Sequence, residues 1–230
     1  IQTGYETAGG STALGAFPPD TLERIALAAA RRALQMLAAH PAPGGRMPVV
    51  LSAEAGGTMI HEAVGHGLEA DLAQEGFSVY TGKVGKRIAS PLVNVVDDPT
   101  LCGVRGSYGV DDEGVPAERT LLIERGVLRT YLYDRLSAAK DGRASNGHGR
   151  RQSYRQRPIP RMSNTMILPG AHDPARILAE VTSGLLVRKM GGGQVNTVNG
   201  EFVFEVTEGY RIEGGEIAYP VRGATLIGSG

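Results

Sequence analysis

Two histidines five residues apart, with a glutamate directly after the first, constrain this chain more than any other feature. His61, Glu62 and His66 lie in residues 56–71, a stretch that reads as a helix punctuated by glycines. On a regular helix of about 3.6 residues per turn, residues four apart differ by ~40° in direction, whereas residues five apart differ by ~140°. The two histidines can therefore face one point only where the helix is locally widened or broken.

Either a widened or a broken helix satisfies this requirement. Gly65 and Gly67 are where such a distortion costs least, because glycine accepts backbone angles that other residues avoid. A single π-helical turn brings residues i and i+5 to the same side, and such turns are frequent at functional sites. The sequence predicts a distortion at this point and leaves its form open.

The residue types of the motif suit a divalent metal. Neutral imidazole nitrogens bind zinc, and a glutamate beside the first ligand can take a proton from metal-bound water. Metalloprotease helices of the H-E-x-x-H type follow this logic, but the spacing here is H-E-x-x-x-H. The alternative is an ordinary amphipathic helix on which both histidines are surface or core residues. Glu69 and Asp71 follow as candidate third ligands or histidine-orienting partners, although we expect both to be solvated on the helix surface.

Composition narrows the class of protein. The 230 residues allow one large domain or two small ones with a sizeable core. Lys+Arg and Asp+Glu both number 24, and this neutrality argues against a chain-wide attraction to nucleic acid or an anionic membrane. No apolar run approaches the ~18 residues of a membrane span. The single cysteine, Cys102, excludes an internal disulfide framework, fits a reducing cytoplasm and is expected to be a small buried hydrophobe.

The periodicity predicts an α+β fold. Helices are expected over residues 20–39, with Asp20 as N-cap, over the motif, and over residues 173–183, with Asp173 as N-cap. Strands are expected at residues 47–51, 78–81, 93–96, 120–124, 127–133, 162–168, 185–189, 194–196, 201–206, 209–212 and 216–219. They come in runs and not in βαβ alternation, which predicts a β-rich protein with mainly antiparallel or mixed sheets and hairpins, plus a few helices including the glycine-rich motif helix.

A polar loop within residues 142–161 is a second candidate site. It carries six arginines beside His148 and Tyr154, namely Arg143, Arg150, Arg151, Arg155, Arg157 and Arg161. Guanidinium forks match phosphates and peptide carboxylates, so His148, Arg150 and Tyr154 are candidate substrate-binding residues. The alternative is a solvated basic loop that balances nearby acidic runs. Only Tyr154 offers a stacking surface, which makes the pattern of a single-strand nucleic-acid site weak.

With these motifs in place, the chain resembles the TldD/PmbA family, also called the modulator-of-gyrase peptidases. The resemblance rests on blocks that follow in order along nearly the whole chain. They are residues 61–71 (HEAVGHGLEAD), 96–98 (VDD), 111–114 (DDEG), 119–120 (RT), 146–148 (NGH), 158–165 (PIPRMSNT), 192–196 (GGQVN) and 220–228 (PVRGATLIG). The preserved H-E-x-x-x-H is similar to the catalytic TldD branch, since the PmbA/TldE branch usually lacks it.

The resemblance implies a zinc-dependent peptidase that hydrolyses unfolded or extended peptides, including leader removal from peptide precursors. It implies that His61 and His66 are zinc ligands and that Glu62 is the general base that activates a zinc-bound water. It also implies a cytoplasmic heterodimer with a PmbA/TldE-like subunit. From the neutral charge, the few aromatic residues and the short apolar runs, we expect neither a nucleic-acid nor a membrane partner.

The chain departs from the family pattern in one respect. The family's third ligand is a cysteine in a Gly-Thr-Cys-Gly segment after the block at residues 220–228, which places it beyond Gly230, and Cys102 does not match it. We therefore expect residues 1–230 to be a TldD-like C-terminal catalytic domain, a fragment lacking the N-terminal domain and the extreme C-terminus. Two histidines alone should bind zinc weakly, because catalytic zinc normally has three protein ligands. The alternative is a metal-free peptide-binding or scaffolding subunit of a TldD/PmbA-type complex.

Overall fold

The computed structural model describes residues 1–13, 15 and 17–229. The α-helices are α1 (Thr21–Leu37), α2 (Ala53–Ile60), α3 (Ala70–Gln74), α4 (Arg135–Lys140) and α5 (Pro174–Ala179). The strands are β1 (His40–Pro41), β2 (Val49–Leu51), β3 (Val95–Asp97), β4 (Thr120–Glu124), β5 (Val127–Leu128), β6 (Gly149–Arg150), β7 (Ile159–Pro160), β8 (Thr165–Ile167), β9 (Ser183–Asn196), β10 (Glu201–Glu213), β11 (Glu216–Arg222) and β12 (Thr225–Ser229). None of the helices in the described residues is long and apolar enough to cross a membrane.

The sheets confirm the predicted α+β class. One sheet has the order β1-β11-β10-β9-β2, with β12 also paired to β10. It is mixed, because β1 pairs with β11 and β2 with β9 in parallel, whereas β10 and β11 are antiparallel. A second sheet, β5-β4-β3-β8, is antiparallel throughout, and β6 and β7 form a short antiparallel ribbon.

The chain divides into two compact units. The first, unit 1, comprises Ile1–Thr58, Ala171–Gln194 and Val203–Gly228 and contains most of the larger sheet. Its buried side chains come from the central strands, since Val187 of β9, and Val206 and Ile212 of β10, are almost fully buried. Unit 2 comprises Met59–Gly170 and Val195–Phe202, with Ser229. Its core includes the fully buried Leu68, Val95, Leu122, Leu128 and Leu132.

Helix α1 in unit 1 is confirmed, but burial on it does not follow hydrophobicity. Leu22 is 78% exposed, whereas Arg32 is buried. Arg32 can be buried because its guanidinium forms ion pairs with Glu208, at 2.7 Å, and Glu6, at 3.0 Å. Asp20 precedes the helix without a side-chain capping bond and lies 3.1 Å from Arg24 instead.

The N-terminal segment of unit 1 is held by the same charges. Glu6 also contacts the Lys189 ammonium at 2.7 Å. The hydrogen bond from Lys189, together with that from Arg32, lowers the pKa of Glu6 to about 2 against the opposing effect of burial. The segment is therefore tied to α1 and β9 by charged hydrogen bonds, without regular secondary structure of its own.

Several predicted strands are longer in the structure. Residues 185–189 and 194–196 belong to the single strand β9, and residues 201–206 and 209–212 belong to β10. Residues 190–193, which include three consecutive glycines, lie between the first two predicted strands and are part of β9. At Gly193 a Cβ atom would collide with the ring of Phe204, so close strand packing explains a glycine there. The predicted capping of α5 is confirmed, since the Asp173 carboxylate accepts from the Ala175 N–H at 2.9 Å.

The prediction of a strand at residues 78–81 is wrong, because this segment folds into turns in unit 2. Ser78 Oγ donates to the Gly67 carbonyl at 2.5 Å and accepts from the Tyr80 N–H at 3.0 Å. The Tyr80 ring is buried in the core. Alternating apolar and polar residues suggested a strand, but contacts with the motif segment hold this backbone in another conformation.

The β4–β5 hairpin in unit 2 turns at residues 125–126, between the strands predicted at residues 120–124 and 127–133. Arg125 and Gly126 both have positive φ, 46° and 77°, as a two-residue turn between right-twisted strands requires. Gly126 also lacks space for a side chain, because a Cβ atom would collide with the carbonyl oxygens of Ala89 and Ser90. Glycine is thus required there for two independent reasons.

A pair of alanine substitutions separates these reasons. Gly142 has φ of 65° and open space around it, so Gly142→Ala adds only backbone strain, roughly 1–2 kcal/mol. We expect Gly126→Ala to lower the free energy of unfolding by clearly more than Gly142→Ala, since it adds a collision with backbone atoms. Denaturant unfolding of both variants measures the difference. Equal losses would show that the space at Gly126 is not limiting.

Candidate metal centre

The distortion predicted between the two histidines is a π-helical turn. Helix α2 runs directly into a π turn at His61–Gly65 and then into a 3-10 turn at His66–Leu68. The His66 backbone N–H donates to the His61 carbonyl, five residues earlier, in place of the usual residue four earlier. This bond turns the two side chains toward the same side of the chain.

The π turn brings three potential ligands together in unit 2. One ligand atom each from His61, Glu62 and His66 lies within 4.8 Å of the others. The imidazole rings meet edge to face with centroids 5.0 Å apart, and Glu62 Oε2 lies 3.7 Å from His66 Nε2. The side chains of Glu62 and His66 remain 34% and 20% exposed, so the cluster is accessible to solvent.

The motif glycines Gly65 and Gly67 lie where there is no room for a side chain, and their backbone angles are not unusual. Gly65 has ordinary right-handed helical angles, φ −58° and ψ −49°, and Gly67 is absent from the described glycines with positive φ. A Cβ atom at Gly65 would collide with the Met162 sulfur, and one at Gly67 would lie 2.8 Å from the Tyr80 ring. The distortion does include both glycines, as expected, but it does not use the unusual backbone angles that glycine can adopt. These glycines allow the π turn to pack closely on the core of unit 2.

Glu69 is buried, which corrects the expectation that it is solvated. Its residue exposure is only 3%, and its Oε1 lies 3.3 Å from His66 Nδ1 and 3.6 Å from the Arg161 guanidinium. Because an ionised carboxylate only accepts hydrogen bonds, His66 donates through Nδ1 and keeps the Nε2 lone pair free. Two backbone hydrogen bonds with Leu132 fix the segment on both sides of Glu69. The Ala70 N–H donates to the Leu132 carbonyl at 3.0 Å, and the Leu132 N–H donates to the Leu68 carbonyl at 2.9 Å.

The other candidate ligands near the motif do not join the cluster. Asp71 Oδ1 accepts the Leu72 N–H at 2.9 Å, and burial raises the pKa of this carboxyl group. Cys102 is exposed, contrary to the expectation of a buried residue, and is not part of the ligand cluster identified in the described residues. The cluster thus consists of the motif residues themselves.

A cleft of about 550 Å³ adjoins the cluster within unit 2. It is lined by His61, Arg150, Arg151, Gln152, Ile159, Arg161, Met162 and Ser163. The ribbon of β6 and β7 contributes Arg150 and Ile159, which pair directly across the two strands. The cleft therefore joins one histidine of the motif to the arginine-rich loop.

The three candidate substrate-binding residues lie in different environments. Arg150 lines the cleft. His148 has no exposed surface, so the structure places its ring in the interior and not on the cleft wall. Tyr154 is 80% exposed and lies outside the cleft lining, with Arg155 stacked 5.3 Å from its ring.

His148 instead belongs to a buried polar network. Its Nε2 lies 3.8 Å from the Asp97 carboxylate and has no hydrogen-bond partner among the described residues, and its Nδ1 lies 3.5 Å from the Tyr108 hydroxyl. Burial lowers the pKa of His148 against the raising effect of Asp97, so the neutral ring is favoured. The same Asp97 carboxylate accepts from the Ser163 N–H and hydroxyl and from the Thr165 hydroxyl.

Sequence reasoning missed the roles of Asp97 and Arg161. Asp97 was treated as part of an acidic run, but it is fully buried and holds Ser163, which lines the cleft. Its sequence signal is a carboxylate at the end of the apolar run Val95-Val96. Arg161 was one of six loop arginines, and nothing in the local sequence distinguishes the one that contacts Glu69.

The donor set fits a divalent metal such as zinc. Two imidazoles and a carboxylate are zinc's common ligands, and their mutual distances are small enough for side-chain rotation to bring them to the ~2 Å bonds that zinc requires. Burial, followed by the electrostatic effect of the neighbouring His66 ring, lowers the pKa of His61 and so favours the neutral, metal-binding form of the ring. The contact between Glu69 and His66 supplies the outer partner that metal-bound histidines usually have.

Comparison with known proteins identifies the family to which this fold and this cluster of potential metal ligands belong. Residues 44–230 match the family model of the PmbA/TldA metallopeptidase C-terminal domain. A Haemophilus influenzae protein named metalloprotease TldD homolog is 48% identical over 88% of this chain and 42% of that protein. The chain belongs to the PmbA/TldA metallopeptidase family, and it spans less than half of the length of this curated relative.

Further similarities agree with this assignment. A Saccharolobus solfataricus protein named zinc metalloprotease TldD homolog is 34% identical over 86% of this chain and 44% of that protein. A Thermotoga maritima structure described as a modulator of a DNA gyrase matches with TM-score 0.81 and 28% identity over 94% of this chain and 49% of its own. The fold of TldE from Thermococcus kodakarensis is also similar, with TM-score 0.75 and 24% identity over 91% of this chain and 47% of its own.

Two glycine substitutions in the motif region should have opposite effects on stability. Gly57, inside α2, has open space, so Gly57→Ala should stabilise the protein by roughly 0.5–1 kcal/mol through helix propensity. Gly67→Ala should destabilise it by roughly 1–3 kcal/mol, because the new methyl group collides with the buried Tyr80 ring. Thermal unfolding of the two variants measures both signs. A stabilised Gly67→Ala variant would contradict the packing account.

Glu69 should influence metal affinity without being a ligand. We expect Glu69→Ala to bind zinc roughly 10–100-fold more weakly, because His66 loses the partner that orients its ring. Glu69→Gln keeps an acceptor oxygen and should lie between this variant and the wild type. Competition with a chelator measures the affinity, and Glu75→Gln, at an exposed position just after α3, is the control. Unchanged affinity in Glu69→Ala would exclude the orienting role.

Proposed function

We propose that this chain is the catalytic C-terminal domain of a zinc-dependent peptidase that hydrolyses unfolded or extended peptides. The observation that carries the proposal is the π turn, which brings His61, Glu62 and His66 together beside an open cleft. Membership of a metallopeptidase family supports the same reaction class. Leader-peptide removal and general peptide degradation both fall within this proposal.

In this proposal His61 and His66 hold the metal and Glu62 is the general base. When bound, zinc supplies Lewis acidity that activates water and polarises the scissile carbonyl. Glu62 accepts the proton of the attacking water and later returns it to the leaving amine. Its partial exposure and its place between the histidines give it access to solvent and substrate.

The residues around the cluster fix its geometry. Glu69 holds the His66 ring through Nδ1, and Arg161 offsets the buried charge of Glu69. His61, with its lowered pKa, offers a neutral nitrogen on the side of the cleft.

A third protein ligand completes the proposed site. We assign it to a cysteine outside these residues, as the family resemblance implies, because catalytic zinc normally takes three protein ligands. Glu62 is the competing candidate, since its carboxylate belongs to the same cluster. The two assignments differ in whether a neutral glutamine at position 62 preserves metal binding.

The proposal includes a protein partner and a compartment. The partner is a PmbA/TldE-like subunit in a heterodimer, as the family resemblance implies. A reducing cytoplasm suits the single exposed thiol of Cys102. The rival function is a metal-free peptide-binding or scaffolding subunit of such a complex, for which Glu62 beside His61 would serve no purpose.

Three substitutions in the full-length protein, with any co-purifying subunit, test these roles. His61→Ala should lose both zinc and hydrolysis of an unstructured peptide, whereas Glu62→Gln should keep zinc and lose roughly 10²–10⁴-fold in kcat. His172→Ala removes an exposed histidine in unit 1 and should keep both. Elemental analysis and a peptide-cleavage assay measure the two properties separately.

The outcomes separate the candidate functions. Full hydrolysis by Glu62→Gln would exclude Glu62 as the base. Loss of zinc from Glu62→Gln would make Glu62 a ligand. Zinc absent from the wild type, together with retained peptide binding, would favour the metal-free subunit.

A further inference from the structure

The cleft beside the proposed metal centre has a one-sided charge. Three of the residues that line it are arginines, namely Arg150, Arg151 and Arg161, and its described lining residues include no carboxylate. The chain as a whole is neutral, so this imbalance is local. A cleft with one sign of charge attracts groups of the opposite sign.

Arg150 is held in place by neutral partners. Its Nη1 donates to the Met162 carbonyl at 3.0 Å, and its guanidinium lies 5.2 Å from the centroid of the Tyr108 ring. Tyr108 is itself fixed by a hydrogen bond from its hydroxyl to the Gly147 carbonyl at 2.9 Å. Arg150 therefore has a fixed position and full charge, with several of its five N–H donors available to a ligand.

Arg151 is anchored through its backbone and through one donor. Its backbone N–H donates to the Asp112 carboxylate at 2.8 Å, and its Nη2 donates to the Asp112 carbonyl at 2.6 Å. Among the described residues, no carboxylate forms an ion pair with the guanidinium of Arg150 or Arg151. Both charges are thus free to meet an anionic group.

Arg161 has a different role. Its guanidinium lies 3.6 Å from the buried carboxylate of Glu69, which holds His66. Its backbone N–H donates to the His148 carbonyl at 2.9 Å, which fixes it at the end of the β6–β7 ribbon. Because its charge is already matched within the protein, Arg161 does not share in anion binding.

We infer that Arg150 and Arg151 form a carboxylate-binding subsite that selects peptides with a negative charge close to the scissile bond. This inference rests on the proposed peptidase function, because His61 lines the same cleft. The carboxylate comes either from an acidic side chain or from the C-terminus of the peptide. The planar guanidinium forks match either group through paired hydrogen bonds.

The remaining lining residues favour a peptide over a nucleic acid. Ile159 and Met162 give the cleft apolar surface suited to peptide side chains, and the described lining contains no Phe, Tyr or Trp ring on which a base could stack. Tyr154, the aromatic residue of the loop, lies outside it. A phosphate backbone would meet two unmatched charges here, without the longer basic groove that strand binding requires.

The experiment uses unstructured peptides that differ at a single position in the full-length protein's cleavage assay. Each peptide carries Glu or Gln on one side of the cleavage site and ends in a free acid or an amide. We expect the wild type to cleave one charged form with a kcat/KM roughly 10–100-fold above that of its neutral counterpart. Preference for Glu over Gln identifies a side-chain carboxylate, and preference for acid over amide identifies the C-terminus.

The arginine variants assign this preference to the cleft. Arg150→Ala and Arg151→Ala should each reduce the ratio of charged to neutral kcat/KM toward one, and Arg150→Lys should retain only part of it, because lysine lacks the fork. Arg155→Ala is the matched control, since Arg155 is an exposed arginine of the same loop outside the cleft lining. It should keep the wild-type ratio.

A binding measurement separates the subsite from the reaction. A fluorescein-labelled peptide that carries the preferred charge, either Glu or a free C-terminal acid, is titrated with Glu62→Gln protein. The neutral peptide and a single-stranded oligonucleotide are then added separately as unlabelled competitors. If the charged peptide binds in a way that depends on the arginines, but the wild type does not hydrolyse it, the subsite is retained and the peptidase function is rejected. Hydrolysis without charge preference would reject the subsite alone. Competition by the oligonucleotide but not by a charged peptide would overturn the inference in favour of nucleic acid.

Discussion

The hydrogen bond from the His66 N–H to the His61 carbonyl is the interaction on which the candidate site depends. On a regular helix the two imidazoles would point ~140° apart, and no single ion could contact both. The π turn adds one residue to the ring closed by this bond and so brings the rings within 5.0 Å of each other. Glu62, the next residue after His61, then lies beside both. A single change in helical register therefore creates the cluster of three donors.

Packing beneath the motif holds this register. Gly65 and Gly67 have no room for side chains because Met162 and the Tyr80 ring lie against them. Glu69 is buried below His66, and a buried carboxylate is costly unless it is paired. His66 and Arg161 provide that pairing at 3.3 and 3.6 Å. The core of unit 2 thus fixes the ligand rings from the side opposite to solvent, as a preorganised site requires.

The wall of the cleft shares the same scaffold. Met162 packs on the π turn, and Ser163 is held by the buried Asp97, whose surroundings also explain the buried position of His148. Arg161 connects the two regions, since it lies in the cleft lining and contacts Glu69. The cleft wall is therefore connected to the motif through Arg161, which contacts Glu69, and through Met162, whose carbonyl accepts a hydrogen bond from Arg150.

Sequence by itself determined the need for a distorted helix, the donor types, the α+β class and several local elements, including the turn at Arg125-Gly126 and the cap at Asp173. These follow from short-range geometry, because residue spacing and local hydrogen bonds fix them. Tertiary structure alone decided that the distortion is a π turn, that Glu69 and His148 are buried, and that residues 78–81 form turns. Each of these depends on contacts between residues far apart in the chain, such as Glu69 with Arg161 and Gly67 with Tyr80, which local spacing does not encode.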